Sequence, residues 1–285
     1  MLILFPSDFF DTKKIDPDYT AEYEAACKLP NTRIILFNYD SFAAGEGIKI
    51  HPKDHYTGNC VYRGWMLTPV QYSALYEHLK AKNVTLINSP VEYEACHLFP
   101  SVRDIIGEDT PKSLYYEQGR VIDWDKVNGT FGKFMIKDYV KSVKGTTFPL
   151  FFETPVLSDE MNNRIAEFRA LRGNLFTGGI VLKEFVNFKK YGKHTNEYRA
   201  FFLNGLLLSL SRNSNQPESC PRVPQDFCMK FRRLKSNYYT VDFGELEDGR
   251  WIVIETGDGQ VSGLSPGQVV FKYYEDMQLI LNANG

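Results

Sequence analysis

The chain has 285 residues, of which 43% are hydrophobic and 24% are charged, and this balance is typical of a folded globular protein rather than a disordered or fibrous one. Lys and Arg number 33 against 35 Asp and Glu, so the net charge of -2 gives no general attraction to nucleic acid or to an anionic membrane. No apolar run approaches the roughly 20 residues that a membrane-spanning helix needs, and the five cysteines form no CxxC pair, so we expect a soluble, cytoplasmic protein with reduced thiols.

The first third of the chain alternates short apolar runs with helical patterns. Strands are predicted at LILFP, RIILF, NCVYRGWML and VTLIN. Helices are predicted at 17–28, at 68–82 and after residue 89, and each opens with a capping residue followed by proline: Asp16, Thr68 and Ser89. Strands separated by helices of this length favour a small parallel α/β sheet, which we place at residues 1–108.

From residue 109 onward, strand-like segments follow one another with few helices between them. The segments are SLYYE, FMIKDYV, IVLKEFV, EYRAFFLNG, LLLSLSR, YYTVDFGEL and WIVIET. Helices are predicted at 158–171 and 224–235, and their inward faces comprise six residues: Ile165, Phe168, Leu171, Phe227, Phe231 and Leu234. The pattern predicts an antiparallel α+β domain over 109–285, with hairpin turns at Asn204–Gly205 and Asp248–Gly249.

The last hairpin carries two carboxylates on otherwise apolar strands. Strand alternation gives Val253 and Glu255 one shared face, and a turn at Asp248–Gly249 brings Glu255 opposite Asp242. Two converging carboxylates repel each other unless a cation lies between them, and magnesium bound to nucleotide phosphates is the commonest such cation. The alternative is that one carboxylate points to solvent from an edge strand.

Two segments upstream carry residue types that suit a nucleotide. Lys137 ends an apolar strand, and Lys141 and Lys144 follow it in a segment that closes on Gly145, so their ammonium groups can contact different oxygens of a polyphosphate. The alternative for this segment is a solvated lysine face. The strand GGIVLKEFV can present Glu184 to the adenine amino group and its following backbone to the edge of the ring.

These segments occur in the order found in the ATP-grasp ligases, which the chain resembles over about residues 111–264. The stretches VYRGWMLTPVQY, LINSPVEYEACHLFP, IKDYVKS, NEYRAFFLNG and ETGDGQVSGL resemble a poorly characterised branch named for two arginines and a lysine. The resemblance implies an ATP-grasp fold with a small parallel α/β domain before it and two α+β subdomains that divide near 187–196. It also implies that ATP converts a carboxylate into an acyl phosphate, which a nucleophile then attacks.

The resemblance further implies a role for each residue of a series, as follows: phosphate contacts for Lys137 and Lys144, adenine contacts for Glu184, Phe185 and Val186, a ribose contact for Glu197, contacts with the transferring phosphate and the acyl phosphate for Arg199 and Arg212, and magnesium ligation for Asp242 and Glu255. One departure concerns the Glu-x-Asn ending that is usual in the superfamily. Here Gly257 stands in the place of the asparagine, and Asp258 could replace its oxygen as a metal ligand.

Three further residues have weaker support. Arg63 resembles a position of the branch at the domain edge, where it could bind an anionic substrate or form a surface ion pair. His97 is expected to be a partly buried helix residue rather than a base. Lys230 belongs to a short basic cluster on the second predicted helix, for which a solvated face is the default, and it is the best candidate in that cluster for a phosphate contact.

The sequence therefore predicts an ADP-forming, ATP- and Mg²⁺-dependent ligase that joins a small-molecule or peptide carboxylate to an amine, or to a thiol. One alternative is nucleotidyl transfer through Lys137, although the Lys-x-Asp-Gly core of nucleic-acid ligases is absent because Asp138 follows directly and no glycine occurs before Gly145. The other alternative is a nucleotide-binding module without turnover. We expect neither a membrane nor a nucleic acid as a partner.

Overall fold

A computed structural model of the chain describes residues 1–143 and 145–283. The elements of its first part are, in chain order, β1 (Leu2–Pro6), α1 (Thr20–Cys27), β2 (Arg33–Phe37), α2 (Tyr39–Ala43), β3 (Ile50–His51), β4 (Gly58–Tyr62), α3 (Pro69–Lys80), β5 (Val84–Leu86), α4 (Pro90–His97) and α5 (Phe99–Ile106).

These strands form one sheet, called the first sheet, in the order β3-β2-β1-β4-β5. Strands β2, β1, β4 and β5 are parallel, and β3 pairs antiparallel with β2 at the edge. Thr68 and Ser89 close capping boxes with Gln71 and Glu92, in which each cap oxygen accepts a backbone N–H and the partner side chain bonds back to the cap. The predicted parallel α/β sheet and both of these helix starts are confirmed.

The elements of the second part are β6 (Ser113–Glu117), α6 (Trp124–Thr130), β7 (Lys133–Asp138), β8 (Phe152–Glu153), α7 (Ser158–Arg172), β9 (Gly179–Glu184), β10 (Lys190–Tyr191), β11 (His194–Thr195), β12 (Glu197–Leu203), β13 (Leu206–Arg212), α8 (Gln225–Met229), β14 (Tyr238–Glu245), β15 (Trp251–Asp258) and α9 (Val270–Ala283). The second sheet has the order β6-β9-β7-β8 and the third sheet the order β13-β12-β14-β15, and both are antiparallel. The predicted α+β pattern is confirmed.

Several helices differ from the sequence prediction. Helix α8 is much shorter than the predicted 224–235, because the buried hydroxyl of Tyr239 accepts the N–H of Leu234 and donates to the carbonyl of Phe231, which takes these groups out of a helical ladder. Leu171 is 46% exposed and lines a cavity instead of the core. Helices α6 and α9 lie where the pattern predicts none; the first turns of α9 are rich in aromatic and β-branched residues, which favour strands when taken alone.

The hydrophobic core is continuous between the first and third sheets. Residues of β1 and α1 share one cluster with residues of β12, β13, β14 and α9, and Tyr273, Tyr274 and Met277 of α9 are fully buried in it. A separate cluster packs the second sheet against α6 and α7. The boundary predicted at residue 108 stays a prediction. Within residues 1–143 and 145–283, no helix combines the length and the apolar composition needed to cross a bilayer.

Alternation along β7 and β9 decides what the second sheet presents to the third. Ile136 and Leu182 point into the cluster with α6 and α7. Lys137 pairs in register with Val181, so both lie on the opposite face, and Val181 belongs to the core cluster of the third sheet. Lys183, two residues beyond Val181, shares that face. The second sheet thus presents two lysines to the third sheet across a cleft.

Candidate active site

The carboxylate pair lies on the two central strands of the closing hairpin. Asp242 is directly opposite Glu255, so the predicted pairing is confirmed. The register shifts just beyond Asp242, where Phe243 pairs with Val253 and Ile254 is the extra residue of a β-bulge. Val253 therefore lies in the core with Phe243 while Glu255 lines the cleft, and the prediction that Val253 and Glu255 share a face is wrong.

Each carboxylate faces a cation. Arg199 on β12 donates to both oxygens of Asp242, from Nε at 2.8 Å and from Nη2 at 2.6 Å, and its Nη1 donates to the carbonyl of Gly263 at 2.8 Å. Lys137 Nζ lies 3.5 Å from Glu255 Oε2. Burial raises the pKa of Asp242, and Arg199 offsets part of that rise. Burial alone would also raise the pKa of Glu255, but the surrounding cations, Lys137 first among them, lower it to about 2.

A cavity of about 750 Å³ separates the second and third sheets at this point. It brings together nine residues that carry a predicted role or follow from the motif, namely Lys137, Lys183, Glu184, Phe185, Val186, Glu197, Arg199, Asp242 and Glu255. A smaller cavity of about 90 Å³ adjoins it and shares Lys141, Arg199, Asp242 and Glu255 with it. The carboxylate pair therefore stands where a large and a small compartment meet.

The end of β9 is held by its neighbours. The Glu184 carboxylate accepts the backbone N–H of Lys112 at 3.2 Å, and the backbone N–H of Phe185 donates to the carbonyl of Lys133 at 2.9 Å. On the third sheet, Glu197 Oε1 accepts the hydroxyl of Thr195 at 2.5 Å. These contacts fix the rim of the large cavity before any ligand binds.

Asp138 organises the segment that follows β7. One carboxylate oxygen accepts the backbone N–H groups of Val140 at 2.7 Å and of Lys141 at 2.6 Å, and the other accepts Arg172 Nε at 2.8 Å. Lys141 is thereby placed at the border of the two cavities. Lys144, which carries predicted phosphate-binding and catalytic roles, lies outside the described residues.

A family model matches residues 123–277, which is more than half of the chain. It describes the ATP-grasp domain of family 3 in the clade that is named for two arginines and a lysine. The chain belongs to this ATP-grasp family. The resemblance drawn from the sequence is thereby confirmed, and no curated protein sequence matches the chain significantly.

Solved structures agree with an ATP-grasp fold. D-cycloserine synthetase DcsG is similar with a TM-score of 0.64 and 13% sequence identity, over 99% of this chain and 100% of that chain. D-alanyl-alanine synthetase A from Vibrio cholerae gives a TM-score of 0.61 at 12% identity, over 100% of this chain and 97% of that one. The ATP-grasp ligase PsnB, complexed with a phosphomimetic variant of minimal precursor, Mg and ADP, gives 0.58 at 11% identity, over 97% and 96%. At these identities the similarity establishes the fold, and the predicted ATP-grasp fold class is confirmed.

The ATP-grasp chain does not offer Arg63 to a substrate. Its side chain is 1% exposed and pairs with Glu22, from Nε at 2.9 Å and from Nη2 at 3.0 Å. Its Nη1 donates to the carbonyls of Gly259 at 2.5 Å and Ser262 at 2.8 Å. The predicted substrate-binding role is contradicted, because the guanidinium is already bound by groups that tie the first sheet to the segment after β15.

Arg212 is also misplaced by the sequence prediction. The register pairs Arg212 with Tyr198 and Ser211 with Arg199, so Arg212 lies on the face of the third sheet opposite to Arg199. Its Nη2 donates to the exposed Glu218 at 2.8 Å. The expectation that Arg199 and Arg212 converge on one phosphoryl group is therefore contradicted by strand alternation.

Lys230 and Asp258 lie outside both cavities. Lys230 Nζ contacts Asp109 at 2.7 Å on the surface, which removes the support for a phosphate contact. Asp258 is fully buried and accepts Asn88 Nδ2 at 2.5 Å and the backbone N–H of Gln260 at 2.9 Å. Burial raises the pKa of Asp258 to about 7, partly offset by Asn88 and Gln260. As a replacement metal ligand Asp258 is contradicted, because its oxygens serve the joint with the first sheet.

Lys183 and His97 are part of the site, although the sequence analysis gives neither a catalytic role. Lys183 is 5% exposed, and its Nζ donates to the carbonyl of Ile254 at 2.5 Å. Burial and then Lys137 lower the pKa of Lys183 to about 7. His97 lines the small cavity, and burial, helped by Lys141, lowers its pKa to about 3, so the imidazole is neutral at physiological pH. The lysine of the apolar-Lys-Glu-Phe-Val motif was the available signal for Lys183.

The donor set fits magnesium that arrives with a nucleotide. Among the residues that the structure describes, no group of three or more Asp, Glu, His or Cys side chains could hold a metal ion. Asp242 and Glu255 supply two facing carboxylates beside a cavity of nucleotide size. Magnesium is usually bound by one or two carboxylates together with substrate phosphates, and this site offers that combination.

Proposed function

We propose that the protein is an ATP-dependent ligase that activates a carboxylate as an acyl phosphate and transfers the acyl group to an amine, or less often a thiol, with release of ADP and phosphate. The observation that carries the proposal is the Asp242–Glu255 pair, which stands among cations where two cavities of an ATP-grasp fold meet. The substrates are taken to be small-molecule or peptide carboxylates and amines.

The large cavity is the proposed nucleotide site. Its volume of about 750 Å³ lies within the usual range of ligand pockets, roughly 300–1,000 Å³. Adenine would lie against Glu184, Phe185 and Val186, and the ribose would lie near Glu197. The triphosphate would then extend toward the cations beside the carboxylate pair, as the resemblance also implies for Lys137 and Lys144.

Nucleotide binding requires the observed ion pairs to exchange partners. Both oxygens of Asp242 are occupied by Arg199, and Glu255 faces Lys137. When Asp242 and Glu255 bind magnesium, the guanidinium of Arg199 and the ammonium of Lys137 are released toward the phosphates. Bound magnesium would bridge phosphate oxygens and stabilise the charge that develops during transfer. Arg199 and Lys141 would neutralise the transferring phosphoryl group and hold it in line with the acceptor.

The small cavity is the proposed position of the reacting carboxylate. It lies beside the carboxylate pair and shares Lys141 and Arg199 with the nucleotide cavity, so a carboxylate there would meet two cations next to the γ-phosphate. The hydroxyls of Thr240 and Ser262, 3.0 Å apart, line the same space. Neutral His97 can accept or donate a hydrogen bond there without adding charge.

Oxygen-isotope transfer tests the acyl-phosphate step directly. The protein is incubated with ATP, magnesium and a mixture of amino acids or short peptides whose carboxylates carry ¹⁸O. Attack of a carboxylate oxygen on the γ-phosphate, followed by amine attack on the acyl carbon, leaves one ¹⁸O in the released phosphate, which mass spectrometry detects. Steady formation of AMP and pyrophosphate, or phosphate without label in the presence of ligated product, would exclude this mechanism.

The same incubation separates the two alternatives. Nucleotidyl transfer through Lys137 would add the mass of AMP to the intact protein, but Lys137 faces Glu255 as an ion pair, which does not suit a nucleophilic amine. A binding module without turnover would bind ATP and release no ADP with any acceptor. Gly257 in the place of an asparagine is the only residue that favours that module.

A further inference from the structure

Lys183 connects the second sheet with the third across the cleft. It belongs to β9, the strand whose end is the proposed adenine site, and its buried ammonium donates to the carbonyl of Ile254 at 2.5 Å. Ile254 is the extra residue of the bulge in β15. A charged donor from one sheet therefore binds the irregular backbone of the other sheet.

The bulge determines which residue of β15 enters the site. On one side of it Val253 packs into the core against Phe243, and on the other side Glu255 faces Asp242. A strand presents alternate residues to opposite faces, so a bulge that moved by one residue would turn Glu255 away from the cleft. The carbonyl that Lys183 holds lies immediately before Glu255.

The surroundings of Lys183 favour a holding role for its ammonium. Lys137 on β7 and Arg103 on α5 repel it, Glu255 attracts it, and the ring of Phe99 lies 5.2 Å from Nζ. A buried ammonium is costly unless its hydrogen bonds are made, and the Ile254 carbonyl supplies such a bond. The contact is thus tied to one position of the bulge.

We propose that Lys183 is a positioning residue that holds the β15 bulge and thereby keeps Glu255 facing Asp242 for magnesium. The inference rests on the proposed function, in which this carboxylate pair binds magnesium together with the nucleotide. It assigns to Lys183 an effect on the metal that acts through Glu255 and differs from a direct contact with phosphate.

Coupling between magnesium and nucleotide is the measurement that separates these roles. The dissociation constant of fluorescent ADP is determined with and without magnesium, and the ratio of the two constants defines the coupling. In Lys183→Met we expect the coupling to fall by about 10-fold or more, as for outer partners of metal ligands, while ADP affinity without magnesium changes by less than about threefold. Lys183→Arg retains a charged donor and should keep most of the coupling.

Lys133→Met is the matched control. Lys133 lies on β7 of the same sheet, outside both cavities, and its partly exposed ammonium faces Glu153 at 3.6 Å. Removing this charge should leave the coupling unchanged. If Lys183→Met does not fold by circular dichroism, Lys183→Gln, which retains an uncharged donor of shorter reach, takes its place and should also lose coupling.

Each result has a definite meaning. Equal weakening of ADP binding by Lys183→Met with and without magnesium would overturn the inference, because it describes a direct nucleotide contact. Wild-type coupling that persists in Lys183→Met would overturn it while leaving the proposed function intact. Wild-type protein that binds ADP with no effect of magnesium would instead remove the metal role of the carboxylate pair, and the inference with it.

Discussion

Replacement of Arg63 by methionine tests whether this residue holds the fold or binds a substrate. The guanidinium is 1% exposed, forms two hydrogen bonds with Glu22, and donates to the carbonyls of Gly259 and Ser262. Without it, the Glu22 carboxylate stays buried with the hydroxyl of Tyr274 as a remaining donor. Breaking a buried ion pair by removing one partner costs about 3–5 kcal/mol, so we expect the free energy of unfolding to fall by about that amount.

Urea unfolding followed by circular dichroism measures the change by linear extrapolation. The control is Arg212→Met, which removes the same side chain from a pair with Glu218 whose side chains are 29% and 89% exposed, and such pairs contribute about 0–1 kcal/mol. The double variant Glu22→Gln/Arg63→Met should be more stable than Arg63→Met, since no lone charge stays buried. A loss below about 1 kcal/mol for Arg63→Met, together with a raised KM for the acceptor carboxylate, would refute the structural role and restore the substrate-binding one.

Three further substitutions have defined outcomes. Glu255→Gln should lower magnesium-dependent ADP release by about 100-fold or more while the unfolding midpoint hardly changes, and turnover near the wild-type rate would contradict the metal role. Lys230→Ala should leave ADP affinity unchanged and alter stability by less than about 1 kcal/mol, because its partner Asp109 lies with it on the surface; calorimetric titration measures the affinity. Asp258 has a pKa raised from 3.8 to about 7, so its folded carboxyl binds more protons than the unfolded one between about pH 4 and 7, and the stability it contributes is lost as the pH rises through that window. Asp258→Asn cannot titrate, and its unfolding free energy relative to wild type should therefore rise from pH 4 to 7.5, whereas a constant difference would contradict the raised pKa.

The candidate site was predictable where local alternation and turn chemistry decide the geometry. The pairing of Asp242 with Glu255 follows from two apolar strands and a hairpin turn, and Lys137 and the β9 hinge follow from short motifs. Even so, the pairing arises differently from the expected one. The hairpin pairs Glu245 with Trp251, one residue out of step with the expected register, and the bulge at Ile254 restores the opposition of the carboxylates.

The sequence by itself determined the order of strands and helices, the capped helix starts of the first sheet, and the residue types of the nucleotide cleft. These features depend on neighbours within a few positions along the chain, where spacing and capping act. Only the tertiary structure decided the roles of the arginines and of the second lysine. Arg63 is buried because its partners Glu22 and Gly259 are 41 and 196 positions away, and Lys183 acquires its role from a carbonyl 71 positions away. A charged side chain becomes structural when folding brings it partners that replace water, and no local pattern records such distant partners.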